Sequence, residues 1–110
     1  MTGKYQISYT PAAYADLGDI YSYIASALQE KRIASGLIRR IRQEISSLRT
    51  FPERCSAVDW EPWASMGMRK FSVGHYVVYY QVNTTDKIVT VIRIFYGGRD
   101  VEHIVSEEHG

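Results

Sequence analysis

Basic side chains and a tyrosine gather in the second half of the chain at positions suited to handling phosphate. Arg69-Lys70 follow a long irregular stretch, Arg93 interrupts an apolar run, and Tyr96-Gly97-Gly98-Arg99-Asp100 closes it. Arginine and lysine stabilise charge developing on phosphate oxygens, and a tyrosine can move a proton through its hydroxyl or stack its ring on a base. The adjacent N–H groups of Gly97 and Gly98 can form an anion nest beside Arg99; alternatively, the two glycines permit a sharp strand exit at positive φ. Each position also has a plainer reading. Arg69 and Lys70 can start a solvated strand and pair with Glu61 or Asp59, Asp100 can latch Arg99, and Tyr96 can simply pack. Arg93 either lies on an open functional face or forms a structural ion pair. A second basic group, Lys31, Arg32, Arg39, Arg40 and Arg42, is partly offset by Glu30 and Glu44. As a patch, with Arg39 and Arg42 as its binding candidates, it can steer a charged partner.

Composition limits what these residues can serve. The chain has 110 residues, 45% hydrophobic and 23% charged, a balance that fits one globular domain over residues 1–110. A formal net charge of +1 does not by itself indicate a nucleic-acid binder, so local clusters must do so. Cys55 has no partner for a disulfide, and His75, His103 and His109 fall at no metal-ligand spacing. No metal or other cofactor is therefore expected. Met1-Thr2-Gly3-Lys4-Tyr5 lacks the apolar run of a signal peptide and no stretch is long enough to span a bilayer, so a cytoplasmic location without membrane contact is expected.

Short elements must position the candidate residues. Tyr5-Gln6-Ile7-Ser8-Tyr9 alternates like a half-buried strand, and Thr10-Pro11 supplies a helix cap and first turn. Ala13, Leu17, Ile20, Ile24 and Leu28 mark one buried stripe. Extending that phase would bury Lys31, Arg32, Ser35, Arg39 and Arg42, so the helix must break near Gln29 to Lys31. A second stripe, Ala34, Leu37, Ile38, Ile41, Ile45 and Leu48, then runs to Pro52. A connecting loop with Trp60 and Trp63, which either fasten it to the core or anchor an interface, leads to three antiparallel strands. These cover Arg69–Val73, Tyr76–Val82 and Lys87–Phe95, with His75 in a turn. The fold class is α+β: an N-terminal strand pairing at long range, a two-helix hairpin, then three strands forming a sheet with the helices on one face and the other face more open. Val101 to Gly110 has few apolar anchors and is expected to be a short frayed segment.

Four segments, in this order and spacing, carry a resemblance: Ile7-Ser8-Tyr9-Thr10-Pro11-Ala12-Ala13, Leu48-Arg49-Thr50-Phe51-Pro52, Arg69 to Tyr80, and Ile92 to Asp100. The chain resembles the RelE/ParE superfamily of toxins of type II toxin-antitoxin systems. That resemblance implies the α+β fold above, a cognate antitoxin that wraps around and inhibits the chain, and oligomerisation with it. RelE-like and YoeB-like members cut messenger RNA in the ribosomal A site, whereas ParE-like members poison DNA gyrase. Aligned on Tyr80-Gln81-Val82, the nucleases carry a catalytic arginine where this chain has Val77. Lys70 falls where RelE carries a catalytic lysine, Tyr96 near the tyrosine that ends YoeB-like chains, and Phe95 where those chains have histidine. In the last helix of RelE-like enzymes, where such residues also lie, only His103 corresponds.

Valine neither binds phosphate nor moves a proton, so the resemblance favours a non-enzymatic ParE-like inhibitor of gyrase, with Arg69, Arg99, Arg39 and Arg42 as binding residues. The alternative is a metal-independent, ribosome-dependent ribonuclease acting on messenger RNA through Lys70, Tyr96 and Arg93. A third reading is a non-toxic homologue that binds antitoxin as a regulator.

Overall fold

The computed structural model describes residues 4–109. Met1–Gly3, where the leader-free amino terminus was expected to begin, lie outside them. Strand β1 (Gln6–Tyr9) runs into helix α1 (Pro11–Ser22), which continues as a π-helical turn over Tyr23–Ala27. Helix α2 (Lys31–Ser46) and two 3₁₀ turns lead to a two-residue strand β2 (Ser56–Ala57). Then come β3 (Arg69–Val73), β4 (Tyr76–Asn83), β5 (Ile88–Tyr96) and helix α3 (Val101–His109). The sheet order is β1-β5-β4-β3-β2. Strand β1 pairs parallel with β5, the long-range pairing its isolation requires, and the other neighbours are antiparallel.

The helix boundaries follow from local chemistry. Thr10 Oγ1 accepts from the Ala13 N–H at 3.0 Å, and Pro11 occupies the first turn. Gln29 at φ 54° turns the chain left-handed, and α2 begins two residues later. The π turn changes one expectation. Leu28 was placed on the buried stripe, but the Leu28 N–H bonds the Tyr23 carbonyl at 3.3 Å, and this wider turn takes Leu28 out of the 3.6-residue phase. It is 53% exposed.

The hairpin packs Ala13, Leu17, Ile20, Ile24, Ala34, Ile41 and Ile45 against Val73, Val78, Val91 and Ile94 on one sheet face. The opposite face is not left open. Val101 and Val105 of α3 join Val58, Trp63 and Met68 of the loop over Tyr79 and Phe95. The segment expected to fray is thus helical: Asp100 Oδ1 accepts from the His103 N–H at 3.2 Å, and the spacing of Val101, Ile104 and Val105 puts its few apolar residues on one side. Trp63 is buried and stacks on Trp60 at 5.1 Å between ring centroids, so the tryptophans fasten the loop. No helix among the described residues is long and apolar enough to cross a membrane.

At the far end of the hairpin the Tyr80 hydroxyl donates to the Pro52 carbonyl at 2.6 Å in a fully buried setting. Burial first, and Cys55 beside it, hold the Tyr80 pKa well above its usual 10.0. Because the folded value is the raised one, the associated stability is complete below the unfolded pKa of about 10 and is lost as pH rises beyond it. Tyr80→Phe leaves the Pro52 carbonyl unpaired and is expected to cost about 1–2 kcal/mol at pH 8. It should also flatten the alkaline fall in stability, which urea titrations at pH 8, 10 and 11 would read. An equal alkaline fall in both proteins would remove Tyr80 as its cause.

Candidate functional site

Strand β5 organises the site because its ladder is irregular. Tyr80 pairs with Val91 and Tyr79 with Arg93, leaving Ile92 as an extra bulged residue. The bulge shifts the alternation, so Val91 and Ile94 both reach the hairpin core while Phe95 faces the other way. Beyond Val91 the outer edge of β5 has outrun β1, whose last partner is Tyr9. Helix α1 and its cap supply the missing bonds: Thr10 Oγ1 donates to the Ile92 carbonyl at 2.8 Å, and Asp16 Oδ2 accepts from the Ile94 N–H at 2.8 Å.

Asp16 also takes Arg93. The guanidinium donates Nε to Oδ2 at 2.8 Å and Nη2 to Oδ1 at 3.1 Å, a two-point pair with side-chain exposures of 21% and 10%. Of the two readings for Arg93, the structure has the ion pair. The signal was present in the sequence, since Asp16 lies three residues after Ala13 and four before Ile20, on the buried stripe of α1.

Arg99 and Tyr96 lie near this pair, along one groove, whereas Arg69 and Lys70 lie apart from it. Arg69 donates to the Cys55 carbonyl at 2.6 Å, not to Glu61 or Asp59, and so ties β3 to the chain entering β2. Lys70 lies on the second sheet face, opposite Tyr79 in register, in a shallow depression of about 440 Å³ with Ser72, Val77 and Gly97. Tyr96 pairs with Tyr76 in register and meets its ring edge-on at 5.7 Å, on the hairpin face. Burial raises the Tyr76 pKa, and Tyr23 and Tyr96 nearby add to it. Arg99 lies 5.3 Å from the centre of the Phe95 ring and Arg93 4.4 Å from it. Asp100 caps α3 instead of latching Arg99.

Gly97 and Gly98 depart from the positive-φ expectation. The described glycines with positive φ are Gly67 and Gly74, the latter in the turn that holds His75. The constraint on the pair is close approach instead: a Cβ on Gly97 would lie 3.1 Å from the His75 carbonyl oxygen, and one on Gly98 2.9 Å from the Tyr96 ring. Arg39 and Arg42 are exposed on the outer side of α2, where the Arg42 guanidinium lies 5.1 Å from the centre of the Tyr9 ring.

A groove of about 740 Å³ opens between the π turn and the end of the β4–β5 ribbon, with Tyr23, Leu28, Ile33 and Tyr96 on its walls beside Asp19, His75 and Arg99. Those four apolar residues are each more than half exposed. Tyr23 and Ile33 immediately precede the buried residues Ile24 and Ala34, out of phase with both core stripes, and that was the available signal. Exposed apolar residues gathered in one groove mark an interaction surface.

Residues 7–101 match the family model described as ParE toxin of type II toxin-antitoxin system, parDE. No curated protein matches the chain by sequence. Among solved structures, the chain is similar to the chromosomal ParDE toxin-antitoxin system from P. aeruginosa, with a TM-score of 0.69 and 19% identity over 86% of this chain and 98% of that one. It is similar to a double arginine-to-alanine mutant of E. coli RelE in the free state, at 0.66 and 12% over 96% and 97% of the two chains. A RelBE toxin-antitoxin complex from Mycobacterium tuberculosis matches at 0.57 and 20% identity, over 87% and 94%. At these identities the structural likeness speaks for the fold.

Proposed function

Because this chain belongs to the ParE toxin family of type II toxin-antitoxin systems, we propose that it inhibits growth by binding DNA gyrase and is held inactive by a cognate antitoxin. The observation that carries this reading is the dispersal of the residues that RNA cleavage would need together. Arg93 is committed to Asp16 and Arg69 to the Cys55 carbonyl, while Lys70 and Tyr96 lie on opposite faces of the sheet. Val77 lines the depression beside Lys70 with a side chain that offers no charge. Phosphoryl chemistry without a metal depends on preorganised cations and proton donors around one reacting phosphate.

Inhibition by binding needs only exposed surface, and the chain has it in the apolar groove and in Arg99 beside it. The antitoxin is read onto the same groove, where an amphipathic segment can bury Tyr23, Leu28, Ile33 and Tyr96. Occupied in this way, the groove and Arg99 are unavailable to gyrase, which accounts for inhibition by simple exclusion.

Purified chain is expected to inhibit supercoiling by gyrase, and message from induced cells is expected to lack codon-spaced cuts by primer extension. Lys70→Ala and Tyr96→Phe should each retain growth inhibition to within about twofold, whereas loss of a general acid or base from a nuclease costs about 10²–10⁴-fold. Codon-spaced cuts that disappear in Lys70→Ala would replace this reading with the ribonuclease. Unimpaired growth under strong induction would replace it with the regulatory homologue.

A further inference from the structure

The outer side of the helical hairpin has a composition that neither the core nor the groove uses. At 3.6 residues per turn, Arg32, Ser35, Arg39, Arg42, Gln43 and Ser46 fall within an arc of about 100° on α2. Glu44 points away from that arc and Glu30 precedes the helix. Two shallow cavities of about 600 and 240 Å³ meet along this stripe, sharing Arg42 and Ser46, and Arg49 extends the second. Neither is lined by a carboxylate among the described residues. The acidic residues of α1 that line a cavity, Asp16 and Asp19, open on the apolar groove instead. In a chain of net charge only +1, four arginines thus lie along one surface whose cavities no described carboxylate lines.

We propose that this stripe is a binding surface for the phosphate backbone of duplex DNA. Arginine, serine, glutamine and tyrosine are the side chains that contact phosphate in such interfaces. From Arg32 to Arg42 the helix rises about 15 Å, enough to cross a major groove about 12 Å wide and reach both strands. Single-stranded nucleic acid fits less well, because it needs open ring faces for its bases. Here Tyr9 and Tyr14 stack on each other at 4.9 Å, and Arg42 lies over both rings at 5.1 and 6.0 Å. An acidic protein would be met by the charge but would leave the spacing of serine and glutamine unexplained. The inference does not depend on gyrase as the target, although a gyrase-bound duplex would be one setting for it.

Fluorescence anisotropy with a labelled 24-base-pair duplex and the full chain, without gyrase, separates the two proposals. Binding is expected to weaken with salt at a log–log slope of about −3 to −4, as for three or four phosphates neutralised. Arg39→Gln/Arg42→Gln should lower affinity at 50 mM salt at least tenfold and reduce the slope by about two. Arg40→Gln, which removes a single charge on another side of α2, should alter affinity less than twofold. Because Arg42 also packs on Tyr9, Arg32→Gln/Arg39→Gln, with circular dichroism as a check on folding, provides a second reading. The proposal is overturned by no duplex binding at 50 mM salt, by equal losses in Arg40→Gln, or by tighter binding of poly(dT) or polyglutamate than of the duplex.

Discussion

Replacing Asp16 with alanine is expected to remove about 3–5 kcal/mol of stability and to lower Tm by roughly 10–25 °C, the largest effect of any charged residue in the chain. The reason is the number of groups that one carboxylate satisfies. Its oxygens receive two bonds from Arg93 and one from the Ile94 N–H, which sits where β5 has no neighbouring strand. Removing the carboxylate leaves a poorly hydrated guanidinium and a buried N–H without that acceptor. Asp16→Asn keeps an acceptor for Ile94 while losing the charge, so it should fall between wild type and alanine. Replacing Arg93 with methionine in the Asp16→Ala background removes the charge that has lost its carboxylate and should recover part of the loss. Urea unfolding of these proteins, with Arg93→Met alone to complete the cycle, measures the coupling. A cost below about 1 kcal/mol for Asp16→Ala would place the pair with ordinary surface ion pairs and sink the argument.

That pair also shows why the fold was legible and the site only partly so. The hairpin helices are periodic, the cap at Thr10-Pro11 is local, and the β-branched runs of β4 and β5 have few alternatives, so each could be placed from neighbouring residues. Arg93 could not, because strict alternation puts it on one face with Val91 and Phe95, whereas the bulge at Ile92 sends Val91 and Phe95 to different clusters. A bulge is a property of two strands and of the helix that satisfies its exposed edge, and no single segment contains it. Helix α3 was missed for a related reason. Val101, Ile104 and Val105 are too few to signal a helix by themselves, and they suffice only because Tyr79 and Phe95 present an apolar surface to receive them. Gly97 and Gly98 were expected to need positive φ, whereas their constraint is the proximity of His75 and Tyr96, which only the assembled ribbon reveals.

The second sheet face supplies the other large expected effect. Trp63→Ala should cost about 3–5 kcal/mol, since Trp63 is 3% exposed and its ring lies 4.9 Å from that of Tyr79 and 5.1 Å from that of Trp60. Its carbonyl accepts from the N–H groups of Met66 and Met68, so the residue also closes the turn that returns the loop to β3. Trp60, only partly buried, should cost about 1–2 kcal/mol when replaced by alanine, and the difference between the two isolates the ring that belongs to the core. Near-UV circular dichroism and urea unfolding would read both. If the gyrase reading holds, Trp63→Ala loses growth inhibition only in proportion to the folded fraction, because its buried ring meets no partner. Inhibition restored at 25 °C relative to 37 °C would show that dependence. Loss of inhibition in a variant that remains fully folded at both temperatures would instead make the loop part of the contact surface.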